Sequence, residues 1–211
     1  MIPIILRLRK ANQKEIAKAQ DLIVEALFRV FKNAVFHGGT AIWRCYQGNR
    51  FSEDVDVYIK KDIKKIEILF EEFKKIGFTI EKKKIGSNSL YSNLRINNTL
   101  VKFEAFFKEV NGTLKEYETA IGRFIPVSTL TPKELVKEKV NAYINRLKKR
   151  DLYDIFFLIK YVDDKNKIKD SLNKLLTKFK NPVDEKEFEG LIIEGLVPQT
   201  NQLINFIGRY A

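Results

Sequence analysis

Two aspartates separated by one residue stand in the segment FSEDVDVYI, at positions 54 and 56. The segment is rich in β-branched and aromatic residues, which predicts a strand over 53–59. Alternate residues of a strand point to the same face, with Cα atoms about 6.5–7 Å apart. Two carboxylates so placed repel each other unless a cation lies between them, and Mg²⁺ takes one or two carboxylates plus substrate phosphate oxygens. Asp54 and Asp56 therefore predict a divalent metal site, with two solvated acids as the alternative.

A glycine pair, Gly38 and Gly39, lies between the short apolar run AVFH and the helix-like run TAIWRCY. Glycine lets the backbone approach a polyanion closely, and a helix N-terminus offers unpaired N–H groups to it. Neither a G-x-x-x-x-G-K-[ST] loop nor a G-x-G-x-x-G fingerprint is present, which excludes the two commonest glycine-rich phosphate motifs. The pair predicts a phosphate-binding turn, and a tight strand-to-helix turn without a ligand is the other interpretation.

Three cationic residues, Lys139, Arg146 and Arg150, follow at steps of seven and four, and so share one face if a single helix carries them all. Tyr143 lies on the same stripe. Such a stripe can bind phosphates and offset charge in a transition state. An exposed basic face is the alternative, and we favour it for Lys148 and Lys149.

The hydrophobic pattern divides the chain into two parts. An amphipathic helix over 11–32 and another ending at Gly77 alternate with strand-like runs, of which FTIEKKKI, YSNLRI and LVKFEAFF are the longest. From Thr131 the pattern is helical throughout, and Thr131, Pro132 and Glu134 form a helix start signal for a helix to about residue 148. We expect a mixed α/β domain over 1–128 and a helical domain over 129–211, hence an α+β fold.

The composition is that of a globular protein with a net charge of +12 and a pI of about 9.6. A basic surface attracts polyanions, although a lysine- and isoleucine-rich composition can also reflect an AT-rich genome. The single cysteine, Cys45, excludes an internal disulfide, and the single histidine, His37, argues against a zinc site. The apolar run of MIPIILRLRK is too short to cross a bilayer and lacks signal-peptide features, so we expect a cytoplasmic protein with no membrane partner.

Two of these segments together resemble a known family. GGTAIWRCYQGNRFSEDVDVYI is similar to the signature of the nucleotidyltransferase superfamily that includes DNA polymerase β, and its finer form resembles the AbiEii/AbiGii abortive-infection toxins, relatives of the MenT toxins. KVNAYINRLKKRDLYDIFFL is similar to a second signature of that branch, a lysine, an arginine seven residues on, and Arg-Asp-x-x-Asp. The two signatures touch both predicted domains.

The resemblance implies a polymerase β-like nucleotidyltransferase core, a mixed sheet with helices, followed by a C-terminal helical half. It implies a metal-dependent enzyme, using Mg²⁺ or Mn²⁺, that moves a nucleoside monophosphate from a nucleoside triphosphate to an acceptor and releases pyrophosphate. The implied acceptor is RNA, such as the 3′ end of tRNA, and the implied role is that of a toxin with a cognate antitoxin. The alternative is a catalytically idle module of the same fold that binds RNA or a protein partner.

The resemblance also implies roles for individual residues. The metal ligands are Asp54, Asp56 and Glu104, the last of which could instead be a solvated strand residue. The catalytic residues are Asp54, Asp56, Lys139 and Asp151. The nucleotide-binding residues are Gly38, Gly39, Thr40, Arg50, Ser52 and Arg146. Arg50 either orients the acid pair or touches phosphate. Asp151 could also be an N-cap, and Asp154 could pair with Arg150.

Overall fold

A computed structural model describes residues 2–211 of the chain. The helices are α1 (Ile4–Arg7), α2 (Ala11–Val30), α3 (Gly38–Cys45), α4 (Ile63–Ile76), α5 (Pro132–Arg146), α6 (Lys149–Ile159), α7 (Asn166–Thr177), α8 (Glu185–Phe188) and α9 (Thr200–Gly208). The strands are β1 (Val35–His37), β2 (Val55–Ile59), β3 (Thr79–Ile85), β4 (Ser89–Ile96), β5 (Thr99–Phe107), β6 (Thr113–Glu118) and β7 (Phe124–Thr129).

Within residues 2–211, seven strands form one mixed sheet in the order β3-β4-β5-β2-β1-β7-β6. The pairs β2·β5 and β1·β7 are parallel, and the remaining neighbours run antiparallel. Burial alternates along β2, where Val55, Val57 and Ile59 are buried and the residues between them are partly exposed. One face of the central strands thus forms the core with α2, which packs on both β2 and β5.

Local sequence signals set the ends of the helices that flank the sheet and follow it. The Asp62 carboxylate accepts from the Lys65 N–H at the start of α4, and Gly77 ends that helix in the left-handed conformation at a φ of 108°. Thr131 and Glu134 form a reciprocal capping box at the start of α5. Leu147 ends α5 with a φ of 52°, so the chain turns before α6 begins.

The chain divides into two compact units, which we describe separately. The first unit runs to Gln47 and continues over Phe51–Thr129, and it contains the sheet with α1 to α4. The second unit consists of Leu130–Ala211 together with the short segment Gly48–Arg50. That segment belongs to the second unit because Arg50 forms a β-bridge with Ile192 and the Asn49 carbonyl accepts from the Ile193 N–H.

Most of the expected elements are present, and the differences have local causes. The expected strand over 53–59 begins only at Val55, so Asp54 precedes it. Strand β6 was not expected, because its sequence TLKEYE is polar and has little apolar alternation. Helix α5 ends at Arg146, short of residue 148. No helix in the described part of the chain is both long and apolar enough to span a bilayer.

Candidate active site

Gly38 lies where β1 ends and α3 begins, directly against the side chain of Asp56. Its backbone has a φ of +74°, in the left-handed region that costs an L-residue about 1–2 kcal/mol. A Cβ added to Gly38 would lie 2.3 Å from Asp56 Oδ2, well inside contact distance. Both the conformation and the neighbouring carboxylate therefore require glycine at this position. Gly39 follows within α3 and is buried.

The two aspartates of the acid pair are both partly exposed, and the valine between them is fully buried. Asp54 stands one residue before β2, and Asp56 is the second residue of that strand. Val55 is 0% exposed, so the chain presents its apolar side chain to the core and its two acids away from it. The predicted alternation is present at all three positions.

Glu104 is the direct neighbour of Asp56 on the adjacent strand. In the parallel pairing of β2 with β5, Asp56 is in register with Glu104, and on its other side Asp56 is in register with His37 of β1. Residues paired across strands point to the same face, with strands about 4.8 Å apart. Among residues 2–211, however, no group of three or more His, Cys, Asp or Glu side chains is close enough to hold a metal by itself. The role of Glu104 as third ligand stays a prediction.

Two buried polar side chains hold the loop that leads into the acid pair. Gln20 of α2 is fully buried, and its Nε2 donates to the Ser52 carbonyl at 2.9 Å. The Thr40 hydroxyl donates to the Asp54 carbonyl, and Thr40 is 0% exposed. Because the hydrogen of this hydroxyl is used within the protein, Thr40 does not offer it to a phosphate in this arrangement. Thr40 and Ser52 thus take part in positioning Asp54.

Sequence reasoning missed Gln20, although a signal for it was available. Gln20 falls on the apolar stripe of α2, four residues after Ile16 and three before Ile23, and all three are buried. A polar residue in an apolar stripe must find hydrogen-bond partners when the helix packs. The partners of Gln20 are the Ser52 and Asp54 carbonyls in the loop before β2 and the Thr40 hydroxyl in α3.

Arg44 of α3 is a structural residue of the first unit. Its guanidinium is fully buried and forms an ion pair with Asp21 at 2.7 Å. The same group lies over the rings of Trp43 at 4.4 Å and Tyr117 at 5.0 Å. Burial raises the pKa of Asp21, and Arg44 opposes that shift. Arg44 therefore supports the packing of α2 against α3.

In the second unit, five charged side chains from the motifs form one ion-pair network. Arg50 binds Asp154 through two hydrogen bonds, at 2.8 and 2.7 Å. Lys139 Nζ lies 2.7 Å from Asp154 Oδ2 and 3.5 Å from Asp151 Oδ1. Arg146 closes the network with two hydrogen bonds of 2.7 Å to Asp151.

The network is buried at one end and open at the other. Arg50 is 4% exposed and Asp151 is fully buried, whereas the side chain of Arg146 is 43% exposed. Burial alone would raise the pKa of Asp154, but Arg50 and Lys139 outweigh it and lower that pKa. Three cations and two anions leave one positive charge in excess.

The geometry corrects several expectations for the second unit. Lys149 is 5% exposed, so the exposed position expected for it is wrong. Arg50 forms a buried ion pair with Asp154, and its contact with phosphate stays a prediction. Arg150 does not continue the stripe of Lys139 and Arg146, because α5 ends before it and Arg150 lies in α6. The partners of Asp154 are Arg50 and Lys139, in place of the expected Arg150.

Asp151 is likewise no N-cap. It lies inside the first turn of α6 and accepts from Arg146, while Asp184 caps this helix by accepting from the Lys149 N–H at 2.7 Å. The sequence did not indicate the role of Asp184, which is distant along the chain from the helix that it caps.

Comparison with known proteins identifies the family. Residues 22–203 match the model of the nucleotidyl transferase AbiEii toxin family, described as toxins of type IV toxin–antitoxin systems. The chain belongs to this family. It is therefore a nucleotidyltransferase of the toxin type, as the resemblance implied. A search of curated proteins gives no sequence match.

Solved structures share the fold at low sequence identity. JHP933 from Helicobacter pylori aligns with a TM-score of 0.66 and 20% identity, covering 96% of this chain and 91% of its own. The nucleotidyltransferase toxin MenT4 from Mycobacterium tuberculosis aligns with a TM-score of 0.65 and 16% identity, covering 95% of this chain and 84% of its own. The antibiotic-resistance factor ANT(2″)-Ia aligns with a TM-score of 0.51 and 12% identity, over 77% and 91% of the two chains. The expected polymerase β-like fold is confirmed.

Proposed function

We propose that this nucleotidyltransferase moves a nucleoside monophosphate from a nucleoside triphosphate to RNA, with the 3′ end of tRNA as acceptor, and that it uses Mg²⁺ or Mn²⁺. The observation that carries the proposal is the contact between Gly38 and Asp56. A glycine turn at a helix start and a carboxylate on the next strand meet at one point, where a phosphate and a metal would both be needed.

The residues at this point fit a divalent metal. Asp54 and Asp56 offer carboxylate oxygens on the side of β2 that faces away from the core, and Glu104 is next to Asp56 in register. Mg²⁺ is commonly held by one or two carboxylates, with substrate phosphates supplying further oxygens. When bound, such ions stabilise the attacking and leaving oxygens of a nucleotidyl transfer.

The chain's own residues serve to position the reactants. Gly38 and Gly39 bring the backbone and the start of α3 close to the acid pair, which favours phosphate binding there. Gln20 and Thr40 fix the carbonyls on either side of Glu53, and thereby the direction of Asp54. The acceptor hydroxyl oxygen bonds to the α-phosphorus, the bond to the β-phosphate oxygen breaks, pyrophosphate leaves with the bonding electrons, and the hydroxyl proton passes to water.

Lys139, Asp151 and Arg146 are assigned to this function through the second signature. The surplus positive charge of their network favours an anion, and Arg146 is its exposed member. We propose that Arg146 and Lys139 contact phosphate groups, and that Asp151 keeps both cations in place. Asp154 and Arg50 complete the network from the buried side.

The charge of the protein supports the proposed acceptor, and the family supports the proposed protein partner. A net charge of +12 favours a polyanionic acceptor such as RNA over a neutral one. Membership of a type IV toxin–antitoxin family supports a cognate antitoxin.

The test is a transfer assay with each of the four labelled nucleoside triphosphates, total RNA, and Mg²⁺ or Mn²⁺. We expect label to enter RNA of tRNA size, and EDTA to abolish the transfer. Asp54→Asn should be inactive, whereas Asp170→Asn, an exposed acid on α7, should retain full activity. Label in protein instead of RNA, or transfer that persists in EDTA, would overturn the acceptor or the metal part of the proposal.

A further inference from the structure

One face of the sheet in the first unit carries aromatic side chains that the core does not use. Phe106 of β5 is 43% exposed, and Tyr58 of β2 and Tyr91 of β4 are partly exposed on the same face. The residues between them on these strands, such as Val57, Ala105 and Leu90, are buried in the opposite face. We use the name open face for the face that carries Tyr58, Tyr91 and Phe106.

The strand registers place these aromatic residues directly beside the acid pair. Asp56 is in register with Glu104, and Glu104 is in register with Tyr91. The two acids and Tyr91 are therefore neighbours across the three strands β2, β5 and β4. Two residues further along both strands, Tyr58 is in register with Phe106. Tyr58 follows Asp56 by two residues, which corresponds to about 6.6 Å along the strand.

The aromatic rings form a supported surface. The ring centroids of Tyr58 and Phe106 lie 6.1 Å apart. His37 stacks on Tyr58 with a centroid distance of 4.1 Å and an interplanar angle of 14°. Because His37 is 7% exposed and packs against Tyr58, it helps to fix the orientation of that ring. Held rings lose little conformational entropy when a ligand stacks on them.

Lysines surround the aromatic residues on the same face. Lys84 is in register with Tyr91, and Lys102 with Asn93 of the same strand. Lys82 Nζ lies 5.1 Å from the centre of the Tyr91 ring, and Lys108 Nζ lies 5.8 Å from that of Tyr58. All four lysines are exposed. A sheet face that combines aromatic rings with cations binds single-stranded nucleic acid through its bases and its phosphates.

We propose that the open face binds the single-stranded end of the RNA acceptor, with bases stacked on Phe106, Tyr58 and Tyr91 and phosphates near the lysines. This inference rests on the proposed RNA acceptor and specifies where its end binds. The proximity of Tyr58 to Asp56 would bring the terminal nucleotide to the acid pair. Duplex RNA does not fit this chemistry, because its bases are already stacked on each other.

The test measures binding of a fluorescein-labelled eight-nucleotide single-stranded RNA by anisotropy, without nucleoside triphosphate. Phe106→Ala should weaken binding about 5- to 150-fold, the range for removal of one stacked base. Phe106→Trp should bind as the wild type does, whereas Phe106→Leu, which is apolar but has no π-face, should be as weak as the alanine variant. Phe124→Ala is the matched control, because Phe124 is also a strand residue of the first unit and is also 43% exposed.

A second measurement concerns the phosphates. The double variant Lys84→Ser with Lys102→Ser should reduce the slope of log K against log salt by about 0.7 for each phosphate that the protein no longer neutralises. The double variant Lys74→Ser with Lys75→Ser removes the same charge from the C-terminal end of α4 and should leave the slope unchanged. Circular dichroism and thermal melting of each variant would show that the fold is intact.

Three results would overturn the inference. The first is that the wild type does not bind the RNA, and the second is that Phe106→Ala and Phe124→Ala bind it with equal affinity. The third is that Phe106→Ala loses binding of nucleoside triphosphate but still binds RNA, which would assign the rings to the incoming nucleotide. The proposed function can fail separately. If RNA binding depends on Phe106 but no label is transferred to RNA, the open face would still be an RNA-binding site and the proposed reaction would be wrong.

Discussion

At the scale of single residues, the acid pair and the first glycine of the motif act on one another. Gly38 has no side chain because the Asp56 carboxylate occupies the space where a Cβ would stand. Asp54 depends in turn on the Thr40 hydroxyl and on Gln20, which hold its backbone and that of Ser52. The glycine turn and the acid pair are thus held by direct contacts, so substitutions in either should change activity in a predictable direction.

Asp54→Asn and Asp56→Asn should each reduce nucleotidyl transfer by at least about 10² to 10³, the cost of removing one electrostatic interaction from a transition state. The stability of Asp54→Asn should stay level or rise slightly, since like charges near each other repel when no metal is bound. Single-turnover transfer rates and urea unfolding would measure the two effects. Variants that lose activity only in proportion to the decrease in folded protein would make the pair a structural feature.

Gly38→Ala should lose transfer activity and stability together. The positive φ costs about 1–2 kcal/mol by itself, and the new methyl group would also displace the Asp56 carboxylate. Gly195→Ala is the matched control, because Gly195 has a φ of +89° and no atom within 4 Å of an added Cβ. Activity at the wild-type level in Gly38→Ala would mean that the position of Asp56 is unimportant for the reaction.

At the scale of elements, the second unit joins α5 and α6 to the Gly48–Arg50 segment through buried charges. Lys139 of α5 forms ion pairs with Asp151 and Asp154 of α6, and Arg50 also binds Asp154. Removing one member of a buried ion pair leaves its partner uncompensated, which costs about 3–5 kcal/mol. The arrangement of these elements therefore depends on charge balance as well as on apolar packing.

Asp154→Asn should lower the free energy of unfolding by about 3–5 kcal/mol at neutral pH. The difference in this free energy between the variant and the wild type should become smaller below about pH 4. The pKa of Asp154 is lowered in the folded state. The ionised Asp154 carboxylate therefore contributes its full stabilisation above the pKa of about 3.9 that it has in the unfolded chain. This stabilisation is lost as the pH falls through the pKa of Asp154 in the folded state. Urea unfolding across this pH range would measure the trend, with Asp170→Asn as the exposed control. A difference that does not change with pH would contradict it.

At the scale of the whole molecule, charge and family membership bear on the cellular role. A net charge of +12 favours association with RNA at low salt, and the chain belongs to a family of toxins. We expect expression of the wild type to slow the growth of a bacterial host and the Asp54→Asn variant not to do so at equal protein level. Growth inhibition by both forms would point to toxicity through RNA binding or aggregation instead of transfer.

The sequence by itself determined the local features of this protein. It indicated the start of α5 at Thr131, the end of α4 at Gly77, the alternation of Asp54 and Asp56 with a buried valine, and the family. Each depends on residues within a few positions of one another, where helix and strand periodicity and backbone conformational preferences decide the outcome.

Only the tertiary structure decided which distant residues meet. Arg50 and Asp154 are 104 positions apart, and Gln20 is 32 positions from the Ser52 carbonyl that it binds. The row from Asp56 through Glu104 to Tyr91 depends on the registers of three strands. Such contacts are fixed by strand pairing and by the need of buried polar groups for partners, and neither is encoded in the spacing of neighbouring residues.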